Sequence, residues 1–157
     1  MAAPAPAATE VAVGQLLRPA RLKGLNGPDR ALEALRGKPL IINVWASWCG
    51  PCRQEMASLE RLAWLDDHGR FKVIGISTDD YIDKAQAYLR SSHATIDHYI
   101  DQALQMEHML GASRLPLTVL VDARGKVLRK VVGAREWDAP DSLQLIAATW
   151  GWPRFQR

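Results

Sequence analysis

Apolar residues along this chain alternate between continuous runs of strand length and segments with helical spacing. Residues 40–46 are apolar almost throughout, which is typical of a central strand covered on both faces. In residues 50–68 the apolar side chains recur close to the 3.6-residue period of a helix. Residues 71–77 form a second apolar run. The pattern therefore predicts a buried strand, a helix and a second buried strand in succession.

Two shorter helices are predicted in the middle of the chain. Asp79 and Asp80 are residue types that cap helices, and they precede a helical pattern that extends to about Arg90. A further helical segment covers about residues 102–110 and ends at Gly111, a residue that often terminates helices. The stretch between these helices is predicted to be a loop.

The C-terminal third predicts a β-hairpin and a last helix. Residues 117–121 and 126–132 are apolar runs on either side of a turn that contains Gly125. A helix covers about residues 141–150, and the Gly- and Pro-punctuated residues 11–38 predict short strands and turns. This order predicts an α/β fold in which a central mixed β-sheet is flanked by helices.

Length and composition are those of one globular domain. The chain has 157 residues, of which 48% are apolar and 24% charged, and this length is enough to bury a core. We expect a single domain over residues 11–157, preceded by an Ala/Pro-rich tail or tether over residues 1–10. The formal net charge is only +3, and no dense run of Lys and Arg indicates nucleic-acid binding.

The N-terminal residues carry little information about location. No apolar run of the sequence approaches the roughly 18 residues needed to span a membrane. The tail lacks the basic segment and the long apolar segment of a signal peptide. Such a start fits a mature exported protein, a tether separated from its membrane anchor, or a cytosolic protein.

Cys49 and Cys52 are the only cysteines, and they lie where the first predicted strand passes into the first predicted helix. The amides at a helix N-terminus favour a negative charge, and a thiolate rather than a thiol attacks disulfides. Cys49 is therefore expected to be the nucleophile, with a pKa below the free value of about 8.5. Cys52, one turn into the helix, is expected to resolve the mixed disulfide. The pair predicts thiol–disulfide exchange.

Two other interpretations of the cysteine pair remain open at this point. Half of a zinc site is one, although such sites usually bring a second pair of ligands. His93 and His98 have a suitable spacing but lie in the predicted loop. A structural disulfide is the other, although closing so short a ring removes little chain entropy.

Two segments of the chain carry a resemblance to a known family. Residues 43–55 read Asn-Val-Trp-Ala-Ser-Trp-Cys-Gly-Pro-Cys-Arg-Gln-Glu, and residues 114–122 read Arg-Leu-Pro-Leu-Thr-Val-Leu-Val-Asp. They resemble the TlpA/ResA type of thioredoxin-fold thiol-disulfide oxidoreductases, which are exported bacterial proteins. The resemblance covers about residues 21–150. It implies a thioredoxin fold with a central insert at about residues 80–111, and a redox-active disulfide with no other cofactor.

The resemblance also implies a set of residues that contact the partner protein. Pro116 matches the cis-proline that lies against the active site, and Leu115 before it would present its backbone to an extended partner segment. Trp48, Gly50 and Pro51 would complete this substrate-binding surface. The remaining C-terminal tryptophans are expected only to pack or to anchor the chain end, namely Trp137, Trp150 and Trp152.

A buried acid is the last feature that the resemblance implies. Asn43 stands where thioredoxin carries a buried Asp, so that proton acceptor is missing. Glu55 matches the acid that serves the TlpA/ResA type. By itself, a Glu in the second helical turn is usually solvated. With the resemblance, we expect Glu55 to accept or donate the proton of Cys52, with a pKa raised by partial burial.

The predicted function is the reduction of disulfides in exported partner proteins, in the periplasm or at the membrane. Electrons would come from a membrane or periplasmic donor, and a monomer is expected. The thioredoxin dipeptide Gly50–Pro51 favours the reducing direction, whereas Leu117 replaces an acid that haem-maturation members carry. A disulfide oxidase or isomerase is one alternative. A copper-handling thiol module is the other, and it would be expected to add a third soft or imidazole ligand.

Overall fold

The computed structural model describes residues 9–66 and 68–155. Within these residues the elements follow one another as β1 (Arg21–Gly24), β2 (Arg30–Ala31), a short 3-10 helix (Leu32–Leu35), β3 (Leu40–Trp45), α1 (Gly50–Trp64), β4 (Lys72–Ser77), α2 (Ile82–Ser91), β5 (Asp97–Ile100), α3 (Gln105–Leu110), β6 (Leu117–Val121), β7 (Val127–Val132) and α4 (Pro140–Trp150). In the part of the chain described here, no helix combines the length and the apolar character needed to cross a membrane.

The strands form one mixed sheet in the order β2-β1-β5-β4-β3-β6-β7. The central strand β3 is parallel to β4 and antiparallel to β6. The predicted hairpin is present as β6 and β7. The predicted α/β fold with a central mixed sheet and short N-terminal strands is therefore confirmed.

Alternation along β3 decides which side chains reach the helices on each face of the sheet. Ile42 and Val44 belong to a core cluster that also contains side chains of α3. Ile41 and Trp45 belong to clusters that contain side chains of α1. Asn43 lies between these two residues and is buried. It therefore places an amide in the apolar layer beneath α1.

The prediction of a loop between the two middle helices is partly wrong, because residues Asp97–Ile100 form the strand β5. This strand runs parallel to β4 and antiparallel to β1, so the insert supplies a strand to the sheet. The apolar signal is weak because buried His98 occupies an interior position in a strand of four residues.

The helix α1 ends at Trp64, earlier than the predicted end near residue 68. The chain turns at Asp66, whose carboxylate accepts hydrogen bonds from Arg70 Nε at 3.0 Å and from the Phe71 amide at 3.2 Å. These contacts direct the chain into β4.

The predicted N-terminal tail lies mostly outside the described residues, which begin at Thr9. Glu10 forms an ion pair with Lys130 of β7 at 3.3 Å. The amide of Val11 donates a hydrogen bond to the Met109 carbonyl of α3 at 2.8 Å. The chain is therefore attached to the domain from about the end of the predicted tail.

Candidate active site

Cys49 and Cys52 are joined by a disulfide at the N-terminus of α1, with their Cα atoms 5.3 Å apart. Cys49 is the N-cap residue, and its sulfur accepts a hydrogen bond from the Cys52 amide at 3.2 Å. Pro51 fits in the first turn because the first helical amides have no intrahelical partner. The sulfur of Cys49 thus lies in the partial positive field of a 15-residue helix.

The two sulfur-bearing residues differ in their contact with solvent. Cys49 is 6% exposed, whereas Cys52 is fully buried. Gly50 and Pro51 between them are exposed. Trp48 is 73% exposed and stands directly before Cys49. An incoming partner protein would therefore contact Trp48 and the exposed edge of Cys49, and it would not reach the sulfur of Cys52.

The peptide bond between Leu115 and Pro116 is cis. It precedes β6, which is antiparallel to β3, so this loop lies at the end of the sheet where β3 leads into the cysteines. Half-buried Leu115 packs against the cluster that contains Cys49 and Cys52. The fold thus brings Leu115 and Pro116 to the disulfide, although more than 60 residues separate them along the chain.

Asp79 holds the loop that precedes Cys49, and it does not cap α2. Its buried carboxylate accepts hydrogen bonds from the Ser47 amide at 2.9 Å, from Ser47 Oγ at 2.6 Å and from Ser77 Oγ at 2.6 Å. Tyr81 occupies the N-cap position of α2, so the predicted cap at Asp79 or Asp80 is wrong. Asp79 is therefore bound by the amide and hydroxyl of Ser47 and by the hydroxyl of Ser77, and not by the amides of α2.

Glu55 lies one turn after Cys52 on α1 and is 1% exposed. Positions three residues apart on a helix are neighbours on one face, so Glu55 follows Cys52 into the interior. Its carboxylate accepts hydrogen bonds from Asn43 Nδ2 at 2.6 Å, from Trp137 Nε1 at 3.0 Å and from the Arg135 amide at 3.1 Å. The burial is more complete than the partial burial expected from sequence.

Burial raises the pKa of Glu55 above its ordinary value of 4.5, and the three hydrogen bonds oppose the rise by stabilising the charged form. Among these three, the indole of Trp137 lowers the pKa most. A raised pKa makes the neutral form of Glu55 more accessible than that of a solvated glutamate, while its donors still stabilise the charged form.

Trp137 and Arg135 are the residues of this site that the sequence interpretation missed. Both lie between β7 and α4, and Trp137 was expected only to pack. One signal was available: a single large aromatic residue in the polar segment 133–139, whose N–H needs an acceptor once buried. The identity of that acceptor depends on the tertiary fold.

Asn43 links Glu55 to the strand that follows the cis-proline. Its Nδ2 also donates to Thr118 Oγ1 on β6 at 3.1 Å. Its Oδ1 is buried and has no hydrogen-bond partner among the described residues. The residue that replaces the thioredoxin Asp is thus a neutral partner of Glu55.

A second buried polar pair involves Trp45, which packs in the cluster that contains both cysteines. Trp45 Nε1 donates to His98 Nδ1 at 3.1 Å. Burial lowers the pKa of His98 to about 4, so the ring is neutral at physiological pH. Gly75 of β4 permits this approach, because a Cβ there would lie 2.0 Å from His98 Nδ1 and 2.9 Å from Trp45 Nε1.

The histidines do not gather at the cysteines. His98 is buried against Trp45, and His93 is exposed after α2. Over residues 9–66 and 68–155, no three His, Cys, Asp or Glu side chains are grouped so that they could hold a metal ion. The second pair of ligands that a zinc site would need is not assembled beside Cys49 and Cys52 by these residues.

Comparison with known proteins gives consistent matches. The sequence model of the Redoxin family matches residues 3–146. The chain is 36% identical over 134 residues to the thiol:disulfide interchange protein DsbE of Allochromatium vinosum, covering 81% of this chain and 71% of that protein. It is 28% identical over 125 residues to the thiol-disulfide oxidoreductase ResA of Geobacillus thermodenitrificans, covering 80% of this chain and 72% of that protein.

A solved structure matches over almost the same span. A crystal structure from Chlorobium tepidum, described as a thiol:disulfide interchange protein DsbE, superposes with a TM-score of 0.81 at 27% sequence identity. The match covers 89% of this chain and 99% of that one.

Proposed function

This chain belongs to the Redoxin family of thioredoxin-fold thiol-disulfide oxidoreductases, and on that premise we propose that it reduces disulfides in exported partner proteins through Cys49 and Cys52. The observation that carries the proposal is the disulfide at the N-terminus of α1, beside a cis-proline loop. This arrangement supports a site that accepts an extended partner segment and exchanges a disulfide with it.

Cys49 is the attacking thiolate in this proposal. It is the N-cap of α1, and the field of the helix stabilises its negative charge. It is also the more exposed of the two cysteines. Trp48, Gly50, Pro51 and Leu115 then form the surface that holds the partner. Backbone contacts at Leu115 can select an extended chain because Pro116 fixes the loop.

The reaction conserves two electrons and two protons. The thiolate of Cys49 attacks one sulfur of the partner disulfide, the partner S–S bond breaks, and the other partner sulfur leaves as a thiolate that takes a proton from solvent. Cys52 then loses its proton and attacks the sulfur of Cys49. This step forms the Cys49–Cys52 disulfide and releases the second partner thiolate, which is protonated in turn. A dithiol donor in the extracytoplasmic compartment must then reduce the Cys49–Cys52 disulfide again.

Glu55 is the group that takes the proton of Cys52 in this scheme. Cys52 is fully buried, so its proton needs an internal acceptor. Glu55 is one turn away on the same helix, and burial raises its pKa towards the range in which a carboxylate can work as a base. Replacing Glu55 by Gln should slow the second step and leave the attack by Cys49 in place.

The reducing direction is tested by a redox equilibrium against glutathione or dithiothreitol. The Gly50–Pro51 dipeptide is that of thioredoxin, and we expect a reduction potential near the thioredoxin value of about −270 mV. A reduction potential close to that of a strong oxidant, about −120 mV, would contradict the reducing direction and indicate a disulfide oxidase.

The exchange chemistry is tested by trapping. Cys52→Ser should retain a mixed disulfide on Cys49, because the resolving sulfur is absent. The matched control is the Cys49→Ser/Cys52→Ser double variant, which should retain none. In insulin reduction assays the unmodified protein should be active and Cys49→Ser inactive. Trapped partners from an exported fraction support the location, whereas partners confined to the cytosol would contradict it.

A further inference from the structure

The two carboxylate oxygens of Glu55 face different kinds of partner. Oε2 accepts hydrogen bonds from Trp137 Nε1 at 3.0 Å and from the Arg135 amide at 3.1 Å. Oε1 accepts from Asn43 Nδ2 at 2.6 Å. Because the carboxylate is buried, these contacts decide where it can carry a proton.

The Oε2 side accommodates only an unprotonated oxygen. An indole N–H and a backbone N–H each donate one hydrogen and offer no acceptor. A proton on Oε2 would point at two donors and would leave a buried hydrogen without a partner, which is costly. The contacts of Trp137 and Arg135 therefore keep Oε2 as an acceptor in both protonation states of Glu55.

The Oε1 side can adapt to a proton. The side-chain amide of Asn43 has an acceptor, Oδ1, which is buried without a hydrogen-bond partner among the described residues. The Thr118 hydroxyl, 3.1 Å from Asn43 Nδ2, can either donate or accept. When the amide of Asn43 turns over, Oδ1 can accept a hydrogen from Glu55 Oε1 and another from Thr118.

The indole of Trp137 is held rigidly relative to α1. Its ring is fully buried in the cluster with Leu59 and Leu62 of α1 and with Ile146 of α4. Its own amide donates to Ser58 Oγ at 2.9 Å. Trp137 therefore presents its N–H to Glu55 in a fixed position.

We propose that Trp137 is a positioning residue for the proton-transfer step: with the Arg135 amide it fixes Oε2 of Glu55, so that the proton taken from Cys52 is carried on Oε1, between Glu55 and Asn43. The inference rests on the proposed role of Glu55. It adds which carboxylate oxygen carries the proton and that Trp137 controls how tightly Glu55 binds it.

Few charges act on this carboxylate besides its donors. From β3 the neutral amide of Asn43 contacts the carboxylate, and the hydroxyl of Thr118 on β6 contacts that amide. On α1, Cys52 supplies the proton that is exchanged. The guanidinium of Arg135 lies 5.7 Å from the centre of the Trp137 ring and is paired with Asp141 of α4 at 3.3 Å. The donor from Trp137 is therefore the contact whose loss should change the proton affinity of Glu55 most directly.

The first test uses the unmodified protein in its reduced form. The Trp137 indole N–H resonance in ¹⁵N NMR spectra should titrate with the same midpoint as the Glu55 carboxyl ¹³C resonance, and it should not titrate in Glu55→Gln. Independent midpoints for the two resonances would overturn the inference without any substitution at Trp137.

The second test removes the donor by Trp137→Phe. Loss of a hydrogen bond to the charged form should move the Glu55 ¹³C midpoint to higher pH. With 5,5′-dithiobis(2-nitrobenzoate) as the probe, the first nitrothiobenzoate release reports attack by Cys49 and the second reports resolution by Cys52. At pH values below the new midpoint, less of Glu55 is in the charged form that can accept the proton of Cys52, so the second phase should slow. We expect a slowing of about tenfold, which corresponds to a loss of about 1.4 kcal/mol from one hydrogen bond to a charged group.

Three controls separate the outcomes. Trp150→Phe changes another indole, partly buried and away from Glu55, and should leave both phases unchanged. Trp137→Phe added to Glu55→Gln should cause no further slowing, and an equal slowing there would show that Trp137 does not act through Glu55. If Glu55→Gln itself leaves the second phase unchanged, the proposed proton acceptor is wrong, whereas an unshifted ¹³C midpoint in Trp137→Phe contradicts only the inference.

Discussion

Two buried titratable side chains, Glu55 and His98, should make stability depend on pH in opposite directions. Burial raises the pKa of Glu55 above the unfolded value of 4.5, so the folded state binds this proton more tightly. The stabilisation of the folded state by Glu55 is therefore present below pH 4.5 and is lost as the pH rises through the pKa that Glu55 has in the folded state. Burial lowers the pKa of His98 to about 4, below the unfolded value of 6.5. Its contribution is present above pH 6.5 and is lost towards pH 4.

The contribution of His98 is large enough to measure by itself. From its ordinary pKa of 6.5 to the folded value of about 4, the linked loss of stability amounts to about 3 kcal/mol. His98→Gln keeps an acceptor for the Trp45 indole and removes the titration. We expect urea denaturation of this variant to show a smaller loss of stability between pH 6.5 and 4 than the unmodified protein shows.

The matched control is His108→Gln, which changes an exposed histidine on α3 and should retain the full acid-dependent loss. Parallel pH profiles for His98→Gln and the unmodified protein would mean that His98 does not cause the loss.

Among the elements, the loop before α1 depends on a side chain from the end of β4. The carboxylate of Asp79 holds Ser47 by two hydrogen bonds and Ser77 by one. Ser47 is only two residues before Cys49, so the position of Cys49, the proposed nucleophile, depends on this contact. The hydrogen bonds of this charged carboxylate therefore hold the loop before α1 against the end of β4.

Replacing Asp79 by Ala should therefore affect both folding and chemistry. We expect a loss of about 3 kcal/mol in the free energy of unfolding, because the half-buried amide and hydroxyl of Ser47 and the buried hydroxyl of Ser77 lose their charged acceptor. The first nitrothiobenzoate phase should also slow, because the loop before Cys49 is released. Asp79→Asn keeps an acceptor oxygen and should lie between the two. A loss below about 0.5 kcal/mol in Asp79→Ala would contradict this role.

The elements that the sequence predicts well are those in which neighbours along the chain suffice. The apolar runs of β3, β4, β6 and β7 and the helical period of α1 are local patterns. The strand β5 was missed because buried His98 replaces an apolar residue in a four-residue strand. Asp79 was assigned to a cap because two of its three hydrogen bonds come from Ser47, which lies 32 residues away.

The candidate site follows the same division. The cysteine pair and the cis-proline segment are recognisable because their chemistry belongs to short sequence motifs. Trp137 is separated from Glu55 by 82 residues, and its hydrogen bond exists only once α4 packs beside α1. A single sequence indicates that a buried indole needs an acceptor, but the acceptor is set by the arrangement of the whole fold.

Among the described residues, the cysteines and the aromatic cluster of Phe71, Trp150, Trp152 and Phe155 lie at opposite ends of the sheet. Cys49 follows the C-terminal end of β3, whereas Phe71 precedes the N-terminal end of β4, and the two strands are parallel. At the Phe71 end, Trp152 packs with its ring centre 6.2 Å from that of Phe71 and 5.0 Å from that of Trp150. Arg70 stacks on Trp152 at 4.9 Å.

This separation predicts a variant that weakens folding without changing exchange. Trp152→Ala removes a half-buried ring from the aromatic cluster and should reduce the free energy of unfolding by about 2 kcal/mol. Both nitrothiobenzoate phases should keep their rates in conditions where the variant is folded. Slower exchange by folded Trp152→Ala would show that the two ends of the molecule are coupled.

Gly75 has a consequence for how this protein can change over evolution. A Cβ at this position would lie 2.0 Å from His98 Nδ1, so any larger residue at 75 requires a smaller residue at 98 first. A residue at 98 without an acceptor atom would leave the Trp45 indole without its hydrogen bond, and Trp45 packs in the same cluster as both cysteines. Substitution at position 75 is therefore limited by the side chain at 98 and, through it, by the contacts of Trp45 beside the cysteines.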